Sequence, residues 1–132
     1  MTIKQNGFEV TNLGFSYDGR DILKDINLKI NQGEFVCLLG ESGSGKTTLL
    51  NLLAGLTKPS EGHVYWKGKE IEKPSAERSV VFQDYTLFPW LTLLQNVTLA
   101  IKKAKKLKTS HAKNLAEEYL NLVGLSGSLH KY

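Results

Sequence analysis

The chain has 132 residues, 41% of them hydrophobic and 23% charged, enough apolar material for one compact core. No stretch approaches the roughly 18 consecutive apolar residues of a membrane-spanning helix, so a helical channel or carrier is excluded for this sequence. A single cysteine, Cys37, excludes an internal disulfide framework, and a formal charge of +4 makes the placement of the lysines decide whether an anionic polymer or lipid is a partner.

The first seven residues, Met1 to Gly7, lack the charged-then-apolar order of a signal peptide, and with one lone cysteine they point to a reducing cytoplasmic setting. Residues 8–13 and 26–30 alternate apolar and polar around the turn signal Asp18-Gly19, which predicts an antiparallel lead-in. Residues 34–39, Glu34-Phe35-Val36-Cys37-Leu38-Leu39, form a short apolar run that predicts a fully buried parallel strand, with Cys37 as an inert core thiol. A helix is expected over 48–54, stopped by Gly55, then a turn over 58–62 and a strand over 63–68. Residues 79–83 read as another buried strand. Thr92 and Gln95 make a capping box for a helix with Val97 and Ile101 on the Leu93 face. A last helix runs from about Ser110 to Val123, with Leu115, Tyr119 and Leu122 in register and Gly124 as its stop. Lys102, Lys103, Lys105, Lys106 and Lys108 carry no interleaved aromatic and no arginine, so they read as a solvated helix end, and nucleic acid is not an expected partner.

Between the strand expected at 34–39 and the helix at 48–54 lies Gly40-Glu41-Ser42-Gly43-Ser44-Gly45-Lys46-Thr47-Thr48, a complete G-x-x-x-x-G-K-[ST] phosphate loop in strand–loop–helix context. Glycines at 43 and 45 free the backbone to turn successive N–H groups inward around an anion, and the helix start beyond them adds unpaired donors and a positive dipole end. Lys46 supplies a compact charge for the terminal phosphates, Thr47 a hydroxyl for Mg²⁺ and Thr48 a donor to an inner phosphate. These residues make the chain a nucleotide-binding protein.

Four segments together resemble the N-terminal part of the ATP-binding subunit of ABC transporters, with residues 1–132 forming one incomplete domain. Beside the phosphate loop, Leu13-Gly14-Phe15-Ser16-Tyr17 resembles the family's A-loop, which implies that Tyr17 stacks on adenine; a core tyrosine beside the turn is the competing reading. Residues 55–62 match the family's turn after the phosphate-loop helix, a structural element. Residues 81–92 resemble the Q-loop, in which Gln83 would serve the metal or the attacking water. The segment 84–91, from Asp84 through Leu87, Phe88, Pro89, Trp90 and Leu91, would then meet a transmembrane permease. Its apolar side chains surround a proline in a turn, so either an exposed patch or folding back onto the core is open. The Phe88-Pro89-Trp90 sequence is most similar to the importers of nitrate, sulfonates or taurine.

The resemblance implies an α/β fold of the P-loop nucleoside triphosphate hydrolase type, incomplete at its C-terminal side, with an antiparallel β subdomain. It implies ATP and Mg²⁺ as cofactors, with Lys46 and Gln83 catalytic and Thr47 and Gln83 on the metal. It also implies a second ATP-binding subunit as dimer partner and a place on the inner face of the membrane. The family's signature motif, Asp-Glu pair and switch histidine are absent, so this chain alone is expected to be a poor ATPase. Leu125-Ser126-Gly127-Ser128 only imitates the signature's opening, and Asp84 follows the Q-loop glutamine without a glutamate after it. His63, His111 and His130 resemble neither the switch histidine nor a metal set. A binding module without turnover and a soluble non-transport ABC ATPase are the alternatives.

Overall fold

The alternating residues on either side of Asp18-Gly19 close into a long hairpin in the computed structural model, which describes residues 6–84 and 87–132. Its strands are β1 (Asn6–Tyr17) and β2 (Arg20–Asn31), antiparallel, with Tyr17 opposite Arg20. Asp18 and Gly19 take φ of 48° and 75°, as a two-residue turn between right-twisted strands requires. The opening residues 1–5, including most of the segment read for a signal peptide, lie outside the described residues. The chain divides into two compact units, Met1–Val80 and Val81–Tyr132.

In the first unit the sheet has the order β2-β1-β3-β4, all antiparallel, with β3 at Glu61–Trp66 and β4 at Lys69–Glu70. Helix α1 (Lys46–Ala54) ends at Gly55, which has φ of 78° and where a Cβ would lie 2.7 Å from the Lys73 carbonyl oxygen. Leu49, Leu52 and Leu53 of α1 meet Val10 and Leu13 of β1, Val64 of β3 and Ile71 in one core. Leu13 and Leu52 are fully buried, each contributing about 1.5–3 kcal/mol relative to exposure.

Two sequence expectations fail here. Residues 34–39 form no strand, Phe35 is 96% exposed, Cys37 is exposed, and only Leu38 reaches the core. A strand buried on both faces needs ladder partners on its edges, and among the described residues no strand pairs with this run. Cys37 is therefore not a core thiol. Residues 79–83 likewise form no strand, and Val81 is 97% exposed.

In the second unit α2 (Leu93–Lys105) starts at a full capping box: the Gln95 N–H donates to Thr92 Oγ1 and the Thr92 N–H to Gln95 Oε1. It packs against α3 (Thr109–Leu122) through Leu94, Ile101, Ala112, Ala116 and Leu120. The buried face of α3 is thus the alanine side. Tyr119 and Leu122 face solvent, contrary to the apolar register expected for them, because two small residues let α2 approach more closely than a tyrosine would.

Gly62 sits inside β3 with φ of 72°, where a Cβ would lie 2.2 Å from the Asn12 carbonyl oxygen and 2.4 Å from that of Thr11. Backbone carbonyls cannot swing away as a side chain can. Gly62→Ala is expected to destabilise the first unit by more than about 1 kcal/mol, the upper size of an ordinary glycine effect. A urea midpoint unchanged in that variant would show that β3 can shift at no cost.

Candidate functional site

The phosphate loop is assembled from backbone first. Gly43 and Gly45 hold φ of 81° and 87°, and Gly45 is the N-cap of α1 with no side-chain hydrogen bond to the helix start. The first-turn N–H groups are therefore uncapped, which leaves donors and a positive dipole end for an anion. A Cβ on Gly40 would lie 2.8 Å from Ser44 Oγ, and one on Gly45 would lie 2.8 Å from Leu23 Cδ2 and 3.3 Å from the Ile22 carbonyl oxygen. At Gly45 the loop thus rests directly on the start of β2, and at Gly40 it closes on its own Ser44; the absence of a side chain permits each approach.

Lys46 turns its ammonium into this cradle. Its Nζ donates to the carbonyl oxygens of Gly40 at 2.9 Å and Glu41 at 2.6 Å, and to Ser44 Oγ at 3.3 Å. Neutral acceptors hold the charge here, and phosphate oxygens are stronger acceptors for the same donor. The donor set fits a polyphosphate: free helix N–H groups, a loop only glycine can follow, and an ammonium at its centre. Thr47 is exposed and, with Lys46, Leu28, Ile30, Val36 and Cys37, borders a cavity of about 370 Å³. One protein hydroxyl suits Mg²⁺, which keeps most of its shell as water and phosphate oxygen.

Tyr17 ends β1 with 66% of its surface exposed, so the core reading of this ring falls. Its strand end is held by the turn after α1: the Ser16 N–H donates to Ser60 Oγ at 3.1 Å, and the Ser60 N–H to the Gly14 carbonyl at 3.0 Å. That turn is structural, as its sequence suggested.

Gln83 and Asp84 are exposed and belong to the second unit, whereas Tyr17 and the phosphate loop belong to the first. Tyr85 and Thr86, which fall within the segment expected to meet a permease, lie outside the described residues. Beyond them Leu87 and Phe88 are exposed and Trp90 is 69% exposed, with the rings of Phe88 and Trp90 5.4 Å apart. Leu87, Phe88 and Trp90 do not fold back, whereas Leu91 is half-buried. Asn96, which nothing in the sequence reading singled out, shapes this turn from a buried position on α2. Its Oδ1 accepts from the Phe88 N–H at 2.8 Å, and its Nδ2 donates to the carbonyls of Phe88, Leu91 and Thr92 at 3.0–3.1 Å. A polar residue at a core-facing helix position just after a capping box was the only available hint.

Loop, uncapped helix and hairpin are the parts of a phosphate-loop protein. The family model for ABC transporters matches residues 23–132, and the chain belongs to that family. It is 46% identical to the nitrate import ATP-binding protein NrtD of Synechococcus elongatus over 110 residues, which cover 83% of this chain and 40% of that protein. It is 49% identical to the bicarbonate transport ATP-binding protein CmpC of a Synechocystis strain, again over 83% of this chain but only 16% of the relative. A solved ATP-binding cassette, dimeric in a post-hydrolysis state with ADP and Pi bound, superposes with a TM-score of 0.79 at 32% identity, covering 94% of this chain and 61% of that one. The fold is therefore that of ABC ATPase cassettes, present in part. The chain spans less than half the length of these curated relatives.

Asn96→Ala is expected to lower the stability of the second unit by about 1–3 kcal/mol, because the Phe88 N–H and the Leu91 carbonyl lose the side-chain partner, while the carbonyls of Phe88 and Thr92 keep the N–H groups of Leu91 and Asn96. Thermal melts of the variant check this, and a melting point equal to that of the parent would mean water replaces the clamp without loss.

Proposed function

We propose that this chain binds Mg²⁺-ATP and, within a longer subunit, powers import of a small solute through a membrane permease. The observation that carries the reading is the Lys46 ammonium, gathered by three loop acceptors beneath the uncapped start of α1. In this reading Gly40, Glu41, Ser42, Gly43, Ser44 and Gly45 wrap the phosphates, Lys46 and Thr48 donate to them, and Tyr17 stacks on adenine. Thr47 and Gln83 serve Mg²⁺, and Gln83 also orients the attacking water. Mg²⁺, when bound, supplies charge neutralisation on the phosphates. Residues 1–132 are then the N-terminal part of a single ATP-binding domain.

The partners follow from the same reading. The exposed turn with Leu87, Phe88 and Trp90 meets the permease, and a second ATP-binding subunit completes a dimer. Both place the protein in the cytoplasm, at the inner face of the membrane, and among the described residues no helix is long and apolar enough to cross it. The nitrate and bicarbonate transport proteins among its relatives make a small oxyanion the cargo class. The import names also favour transport over a soluble ABC ATPase.

Phosphate binding and water activation are separable, and no Asp-Glu pair follows an apolar strand in these 132 residues. The chain alone is accordingly a binder with little turnover, a reading also favoured by the exposed run 34–39. Steady-state phosphate release from this chain beside a full-length subunit tests it: negligible release is expected from the former, and turnover by the isolated chain that Lys46→Ala abolishes would make Asp84 the acid to pursue.

Binding is tested separately by calorimetry. Lys46→Ala should weaken Mg²⁺-ATP by roughly tenfold to a hundredfold, the worth of one charge-assisted contact. Tyr17→Ala should weaken ATP and GTP alike, by about 1–3 kcal/mol, since stacking needs only a π face. Parental affinity in either variant removes that residue from the site.

A further inference from the structure

The two flanks of α1 hold the same end of the hairpin, one through each strand. At the start of the helix Gly45 lies against Ile22 and Leu23 of β2, so closely that a Cβ would come within 2.8 Å of Leu23 Cδ2. Beyond its end, the turn over 58–62 reaches β1: the Ser60 N–H donates to the Gly14 carbonyl at 3.0 Å, and Ser60 Oγ accepts from the Ser16 N–H at 3.1 Å. Across the hairpin Phe15 pairs with Leu23 and Tyr17 with Arg20. Both contacts therefore close on the end that carries Tyr17.

On the β1 side a side chain takes over where the sheet runs out. Pairing of β1 with β3 ends at Gly14 opposite Glu61, the first residue of β3. In a continuing antiparallel ladder the Ser16 N–H would donate to a carbonyl of the adjacent strand. Ser60 Oγ stands in that place. The Ser16 hydroxyl is engaged elsewhere, donating to Asp21 Oδ1 at 2.8 Å, which ties β1 to β2 but not to the turn after α1. Upstream the ladder to β3 is itself interrupted, with a register shift between Thr11 and Gly14 and a φ of 47° at Asn12. A bulge of this kind loosens the strand beyond it from its neighbour. The main chain leading to Tyr17 is thus joined to the segment after α1 through Gly14 and Ser16, and both bonds end on Ser60.

We propose that Ser60 is a positioning residue for the nucleotide base: by holding the Ser16 main chain it fixes Tyr17 relative to the phosphate loop at the opposite end of α1. This rests on the reading of Tyr17 as the ring that stacks on adenine. Ser60 touches no nucleotide and acts only through that ring. Helix α1, nine residues and about 14 Å long, is the spacer that sets base site and phosphate site apart. Ser60 is exposed, so removing its hydroxyl leaves the Ser16 N–H to water rather than orphaned in a core. The loss therefore falls on the order of the strand end, not on the fold.

The test is calorimetric titration of the 132-residue chain with Mg²⁺-ATP and with Mg²⁺-tripolyphosphate, which carries the phosphates and no base. Ser60→Ala is expected to weaken ATP about threefold to tenfold, the worth of one ordinary hydrogen bond as an affinity ratio, and to leave tripolyphosphate within about twofold. Retained tripolyphosphate binding also shows that the variant folds. Ser60→Thr, which keeps the hydroxyl, should restore the parental ATP affinity. In the Tyr17→Ala chain the Ser60→Ala change should cost ATP nothing further, since both act through one ring. Additive losses in that double variant, or an ATP affinity unchanged by Ser60→Ala where Tyr17→Ala weakens it, would overturn the proposal and leave the stacking reading standing. Equal losses of ATP and tripolyphosphate would overturn it as well, by making Ser60 a support of the whole loop. Parental ATP affinity in Tyr17→Ala would remove the stacking reading, and this proposal with it.

Discussion

A single ammonium organises the first unit. Lys46 Nζ reaches two backbone carbonyls and one hydroxyl of its own loop, and that geometry is available only because the chain folds back at Gly43 and Gly45 with positive φ. The price in backbone entropy is set against three donor–acceptor contacts and the start of a helix. Each part constrains the next: the loop fixes where α1 begins, α1 fixes Leu49, Leu52 and Leu53, and these leucines meet β1 and β3. The core and the site are consequently one construction, and their residues are interleaved along the chain.

The sequence made this part legible because its signals are local. Asp18-Gly19, Gly55, the glycines of the loop and the Thr92–Gln95 box each dictate a conformation through their own sterics or hydrogen bonds, and each appears where expected. The misreadings share an opposite origin. An all-apolar run such as 34–39 has extended propensity, but whether it becomes a strand depends on neighbours that local pattern cannot supply. The face of α3 was misassigned for a related reason. Tyr119 and Leu122 carry more apolar surface than Ala112 and Ala116, yet close approach of two helices selects the small residues. Asn96 escaped notice because its value lies in four hydrogen bonds to a turn whose shape periodicity does not reveal.

The supports of the phosphate loop are unequal. On one side Gly45 presses against Ile22 and Leu23 of β2, and α1 is anchored through Leu49 and Leu52. On the other, residues 34–39 lead into Gly40 with only Leu38 engaged in the core. Helix and hairpin suffice to hold the glycine-dependent dihedrals and the Lys46 contacts, since those involve residues 40–46 and β2 alone. They do not draw residues 35–39 into the sheet, which among the described residues holds only β1 to β4. A phosphate needs the cradle, whereas transfer to water needs groups held to a fraction of an ångström around it. Where one flank of the cradle has few packing contacts, affinity therefore depends on it less than turnover does, and the two activities part company for a mechanical reason as well as a chemical one.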